Sequence, residues 1–112
     1  MKLITAVIQP FTMTAIREEL AQLGVHGMTV TDVQGFGQQR GHSEVYRGAE
    51  YSTDFVPKVK VEVVTLDERA EAVCEAIVRA AHTGTIGDGK LWVTDVTRVI
   101  RVRTGENDDA AL

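Results

Sequence analysis

Apolar and polar positions follow two periods along the chain, and each change of period marks an element. Leu3 to Ile8 is rich in β-branched side chains and is stopped by Pro10, which predicts a strand. Both of its alternation phases are apolar, Leu3 and Val7 on one side and Ile4, Ala6 and Ile8 on the other. A strand of that kind is covered on both faces. From Thr12 the spacing becomes helical: Met13, Ile16, Leu20 and Leu23 share one stripe, closed by Gly24. Residues 28–36, MTVTDVQGF, predict a second strand, and a long polar loop carrying Tyr46 and Tyr51 follows over about 37–54. In the third strand, 56–64, Val59, Val61 and Val63 alternate with Lys58, Lys60 and Glu62. Thr65 and Glu68 have capping-box spacing, and Ala70, Val73, Cys74, Ile77 and Ala81 form a second helical stripe. A glycine-rich turn over 82–90 leads to short strands at 92–96 and 99–102, and the polar end, about 105–112, is expected to be a mobile tail.

The order is β-α-β, loop, β-α-β, with a small extra strand. Val30-Thr31-Asp32-Val33 recurs as Val93-Thr94-Asp95-Val96, each closing one β-α-β unit. This predicts an α+β, ferredoxin-like double β-α-β sandwich in one domain over residues 1–112, with both helices on one sheet face. Two helices leave the other face open. The apolar second phase of the first strand then calls for a partner subunit there, so a homo-oligomer is expected.

Composition narrows the function classes. A net charge of −4 over 112 residues argues against a general nucleic-acid binder. The single Cys74 excludes an intrachain disulfide and a Cys-cluster metal site, and suits a reducing compartment. The MKLITAVIQPF start is too short an apolar run for a signal peptide, and no run approaches a membrane span, so a soluble cytoplasmic protein is expected.

Two clusters could carry chemistry. Gly84 to Lys90 has the letters of a phosphate-binding P-loop, G-x-x-x-x-G-K, but it runs from a helix into a strand and continues with Leu91. A helix stop with a tight turn is the simpler reading of it alone, although backbone amides around such glycines can cradle an anion. Arg101 and Arg103 at i, i+2 on an expected strand share a face. They read either as a solvated edge or, with Lys90, as a polyphosphate clamp. The three histidines have no ligand spacing, Cys74 falls on a core stripe, and no nucleophile–base arrangement can be argued.

Taken together, Tyr46-Arg47-Gly48-Ala49-Glu50-Tyr51 and Thr83-Gly84-Thr85-Ile86-Gly87-Asp88-Gly89-Lys90 resemble the two signatures of the PII nitrogen-regulatory signal proteins. Gln34-Gly35-Phe36-Gly37, Phe55-Val56-Pro57-Lys58 and Arg101-Val102-Arg103-Thr104-Gly105-Glu106 extend the resemblance over the whole chain, nearest to the ammonium-transporter-associated subgroup. The resemblance implies a non-enzymatic homotrimer with ATP and ADP competing at inter-subunit clefts and 2-oxoglutarate binding beside magnesium–ATP. By position, Gly87, Asp88, Gly89, Lys90, Arg101 and Arg103 would hold phosphates. Thr29, Glu62 and Val64 would face the adenosine, with Gly35 and Gly37 at the loop base. Gln39 would ligate Mg2+, and Lys58 with Gly87 would meet 2-oxoglutarate. Tyr51 would be the site of a nucleotidyltransferase, and Arg47 would probe the pore of an ammonium transporter at the membrane. Other nitrogen-metabolism enzymes or regulators are further expected partners. Ala49 replaces the serine that some relatives phosphorylate.

Three other readings share the topology. An amino-acid-binding regulatory domain would leave Lys90, Arg101, Arg103 and the long loop without use. A weak ATPase lacks an evident base. An RNA-recognition domain is disfavoured because strands one and three carry no stacking aromatics.

Overall fold

The computed structural model describes residues 1–37 and 55–112, and the backbone alone of 43–46 and 49–52. The main sheet has four strands, β1 (Lys2–Ile8), β2 (Thr29–Gly35), β5 (Val56–Thr65) and β6 (Gly89–Asp95), in the order β2-β5-β1-β6. Every neighbouring pair is antiparallel. Helices α1 (Met13–Gln22) and α2 (Asp67–Ala81) connect β1 to β2 and β5 to β6. This is the split β-α-β arrangement expected from the periodicity. Between β2 and β5 a backbone hairpin forms from β3 (Ser43–Tyr46) and β4 (Ala49–Ser52), pairing Tyr46 with Ala49 and Glu44 with Tyr51.

Register divides the sheet cleanly. Residues opposite one another across an antiparallel pair share a face. Ile4 lies against Val63 and Val93, Ala6 against Val61 and Leu91, and Ile8 against Val59. This face meets Ile16 and Leu20 of α1 and Val73, Ala76 and Ile77 of α2, forming a core whose members are almost wholly removed from water. The opposite face carries two cross-strand rows: Thr31, Lys60, Val7 and Lys90, then Thr29, Glu62, Thr5 and Trp92. No helix covers it. The repeated Val-Thr-Asp-Val segments lie on the two edge strands, β2 and the end of β6, with Val30 and Val93 in matching positions on the helix side of the sheet, each still partly exposed at its edge.

Two local expectations are corrected, the helix cap and the last strand. The Thr65–Glu68 capping box does not form, because β5 runs on to Thr65, which is buried and paired with Lys2. Leu66 is the N-cap and makes no side-chain cap bond; the first turn is held by Asp67, 2.8 Å from the N-terminal ammonium. The strand over 99–102 is absent: only a single bridge joins Ile100 to Asn107, and a turn follows at 102–104. The polar end, where composition predicts a mobile tail, folds back. Asp108 N–H donates to Val99 O at 2.8 Å, Val99 N–H donates to the Asp108 carboxylate at 3.1 Å, and a short 3-10 helix spans Asp108–Ala111. Among the described residues no helix is long and apolar enough to cross a membrane.

Candidate functional site

The glycine-rich turn joins the end of α2 to the start of β6 and is shaped by backbone that only glycine adopts easily. Gly84, Gly87 and Gly89 have φ values of 85°, 105° and 98°. At Gly89 the constraint is steric as well, since a Cβ there would stand 1.9 Å from the Val7 carbonyl oxygen of the neighbouring strand. The turn therefore lies tight against β1 and presents Gly87, Gly89 and Lys90 beside the open face.

These residues border a cleft of ≈ 530 Å³ together with Val7, Gly35, Phe36, Gly37, Val56, Lys58 and Trp92. Lys58 stands on the open face of β5, 8% exposed, and donates from Nζ to Gly87 O at 2.5 Å. Burial pushes its ammonium below the ordinary lysine range, with the charge of Asp88 acting in the opposite sense. A Cβ at Gly35 would come 3.1 Å from Lys58 Cγ, so a side chain there would require the Lys58 stem to shift. The cleft thus combines two lysines with four glycine backbones from two separate segments, a set suited to phosphate or carboxylate oxygens.

Thr29, Glu62 and Val64 lie elsewhere. They border a second cleft of ≈ 820 Å³ toward the other end of the open face, with Leu3, Arg69, Val99, Asp109 and Leu112. Part of the sequence-expected set thus borders two separate clefts of one chain. Gly35, Gly37, Lys58, Gly87, Gly89 and Lys90 share the first, and Thr29, Glu62 and Val64 share the second.

Arg101 and Arg103 follow β6 beyond its Lys2 end, whereas Lys90 pairs at its opposite end with Val7. They are not two teeth of one strand face as expected. Arg101 is ion-paired with Glu106 at 3.0 Å inside the C-terminal turn, and Arg103 stands exposed within it. Gln39 and Arg47 lie outside the described residues, and Tyr51 lies on β4, where only the backbone is described.

Asp88 is not among the residues that border the first cleft. It borders a small pocket of ≈ 140 Å³ with Ile77, Val78, Ala81 and His82, on the helix side of the turn, and Gly89 and Lys90 line this pocket as well as the cleft. Its carboxylate accepts from Thr83 N at 2.7 Å, from Thr83 Oγ1, and from Gly84 N at 2.9 Å. The Thr83 hydroxyl bond, followed by the backbone bonds, holds this carboxyl below the usual carboxylate range. Sequence reasoning missed Thr83 as its partner and Trp92 and Phe36 as cleft walls. Trp92 was accessible from the alternation of β6, which puts it on the same face as Lys90. Phe36 meets Phe55 across the base of the 37–54 segment, ring centroids 5.9 Å apart.

Comparison with known proteins gives a consistent result. The family profile described as nitrogen regulatory protein P-II matches residues 1–106. The nitrogen regulatory protein P-II of Klebsiella oxytoca is 58% identical over 112 residues, covering 100% of both chains. The nitrogen regulatory protein P-II 1 of Escherichia coli K12 matches equally, at 58% over the full length of both. The nitrogen regulatory protein GlnK of the same organism is 54% identical over the full length of both, in keeping with the subgroup resemblance.

Proposed function

Because the chain belongs to the nitrogen regulatory protein P-II family, we propose that it is a non-enzymatic sensor of nitrogen, carbon and energy state. In this reading it binds ATP or ADP, and binds 2-oxoglutarate with Mg2+ in the presence of ATP, at clefts shared between copies of a homotrimer. The observation that carries the reading is the ≈ 530 Å³ cleft, where Lys58, Lys90, Gly87 and Gly89 meet Gly35 and Gly37 at the base of residues 37–54. Ligand occupancy there is next to the segment that would contact partners.

The division between two clefts favours a composite site. Lys90 and the glycine turn of one copy would hold the phosphates, and Arg101 and Arg103 would reach them from a neighbour. Thr29, Glu62 and Val64 would face the adenosine. The open face itself favours self-association, since Leu3, Val7, Val64 and Trp92 place apolar side chains on a surface without a helix over it.

Among the described residues no group of three His, Cys, Asp or Glu side chains gathers as a metal site. The lysine and glycine set fits the anions, and Mg2+ would be held by phosphate oxygens, the 2-oxo acid and the amide oxygen of Gln39. Lys58 would pair with a carboxylate of 2-oxoglutarate, exchanging its bond to Gly87 for an ionic one.

Regulation would run through a population shift of residues 37–54. A partner that prefers one arrangement of this arm must alter effector affinity by the same factor. Arg47 would enter an ammonium transporter, bringing an otherwise cytoplasmic protein to the membrane. Tyr51 would accept a nucleotidyl group, and any hydrolysis of ATP would be slow and incidental. Titration calorimetry with 2-oxoglutarate, with and without magnesium–ATP, tests the reading. Binding only in the presence of magnesium–ATP is expected. Equal binding without nucleotide, or binding of amino acids but not nucleotides, would overturn it.

A further inference from the structure

Asp88 lies within the segment that resembles a phosphate-binding signature; Gly89 and Lys90 line both the ≈ 530 Å³ cleft and the small helix-side pocket, whereas Asp88 lines only the pocket. Its oxygens take hydrogen bonds from Thr83 N, Thr83 Oγ1 and Gly84 N, just past the His82 C-cap of α2. Thr83 Oγ1 also accepts from Thr85 N at 3.2 Å, and Asp88 N–H donates to Thr85 O at 3.3 Å. The entry and exit of the turn are thereby tied together across six residues, 83 to 88.

The need for such a tie follows from the backbone. Gly84, Gly87 and Gly89 all sit at positive φ, and glycine has no side chain to disfavour other conformations. A turn with three such residues has a high entropy cost of ordering, and a ligand must meet that cost unless the fold has met it already. Charge-assisted bonds from one carboxylate to three donors supply the ordering before any ligand arrives. A negative charge aimed at a polyphosphate would oppose binding, so its place behind the turn is electrostatically favourable.

We propose that Asp88 and Thr83 are positioning residues: the Asp88–Thr83–Gly84 bond cluster holds the turn in the shape in which Gly87, Gly89 and Lys90 face the cleft, and the carboxylate does not touch the anion. The inference rests on the effector-binding reading and names a residue pair that works behind the ligand. It assigns Thr83 Oγ1 a specific task, to donate to Asp88 while accepting from Thr85 N. A serine can do the same and a valine cannot.

The test uses the full chain and magnesium–ATP as probe, in calorimetric titrations of the wild type, D88A, T83V and T83S. D88A and T83V should each weaken binding by about tenfold or more, the scale of a lost charge-assisted bond. T83S should return affinity to within about threefold of the wild type, since it keeps the hydroxyl. Amide hydrogen exchange of the ligand-free chains supplies the second readout, with faster exchange across 83–89 in D88A and T83V while β1 and β5 stay protected. Wild-type affinity in D88A, or T83S as weak as T83V, would overturn the proposal. A wild type that fails to bind magnesium–ATP would refute the functional reading instead. In that case exchange decides the positioning role, and an unchanged turn in both D88A and T83V refutes it.

Discussion

At the Ile8 end of β1 the open face finishes in a cleft of backbone and cations: Gly35, Gly87 and Gly89 beside Lys58 and Lys90. At the Lys2 end it finishes in a wider cleft of ordinary side chains, Leu3, Thr29, Glu62 and Val64, bordered by the returning C-terminus. The first end tolerates almost no change of shape, because a strand carbonyl lies where a side chain on Gly89 would go. The second is formed where strand ends and the returning C-terminal residues meet. Rigid backbone with fixed positive charge suits a group that is the same in every nucleotide, the phosphates. In the proposed reading, a wider cleft that mixes apolar side chains with Thr29 and Glu62 suits a base and sugar, which present apolar faces and hydrogen-bonding groups together.

The contrast can be broken at its rigid end first. Gly89→Ala combines a positive-φ penalty with a backbone clash and should cost about 3 kcal/mol, read as a lower denaturation midpoint in urea. An alanine tolerated without loss would show that the turn is not held against β1. Lys90→Ala leaves the fold intact and removes one charge from the cleft. Its expected effect is about a tenfold to hundredfold loss of magnesium–ATP affinity with little change in thermal midpoint. Normal affinity would remove Lys90 from the site.

Mixing sharpens the idea that the two clefts meet across copies. Lys90→Ala and Arg103→Ala preparations should each bind weakly, and co-refolded mixtures should recover a fraction of full-affinity sites. That fraction arises where the intact Lys90 of one chain faces the intact Arg103 of another. No recovery at any ratio would place both residues in a site within one chain, or one of them outside it.

Acid should act on the rigid end through Asp88 and on the helix start through Asp67, both held below the usual carboxylate range. The Thr83 hydroxyl bond is the main cause for Asp88, and the N-terminal ammonium for Asp67. Depressed folded values mean that their contribution to stability is fully present above the ordinary carboxylate value of about 3.9 and is lost as pH falls through the lower folded values. Denaturation midpoints recorded from neutral pH downwards should decline in that window, and less so in T83V. The smallest effect belongs to the C-terminal turn. Removing the exposed Arg101–Glu106 pair with Glu106→Ala should change stability by about 0–1 kcal/mol. It should also free Arg101 for ligand, so a modest gain in nucleotide affinity is the informative result.

Much of this molecule was legible along the chain because its elements declare themselves by period. The Met13, Ile16, Leu20 stripe and the Val59, Val61, Val63 alternation required no tertiary information, and the core uses them as read. Local signals failed where two elements competed for the same residues. Thr65 has the side chain of a helix cap, but pairing with Lys2 on β1 extends β5 through it. Val99 to Val102 has strand composition, but no neighbouring strand of the main sheet takes it, and it closes instead on Asn107 and Asp108. Asp88 was read with its glycine neighbours as one phosphate-holding run. In the fold Asp88 does not border the cleft that Gly87, Gly89 and Lys90 line, and its carboxylate accepts from Thr83 and Gly84 instead.

The sequence by itself determined the two periodicities, the glycine positions that demand a tight turn, and the division of β5 into a valine face and a charged face. These are properties of neighbours one to four residues apart, which the chain encodes directly. Only the tertiary structure decided that Lys58 reaches Gly87, that Gly89 must stay bare beneath Val7, and that the expected site residues fall into two clefts at opposite ends of one face. Those facts depend on strand register and on contacts between residues tens of positions apart, which local pattern does not contain.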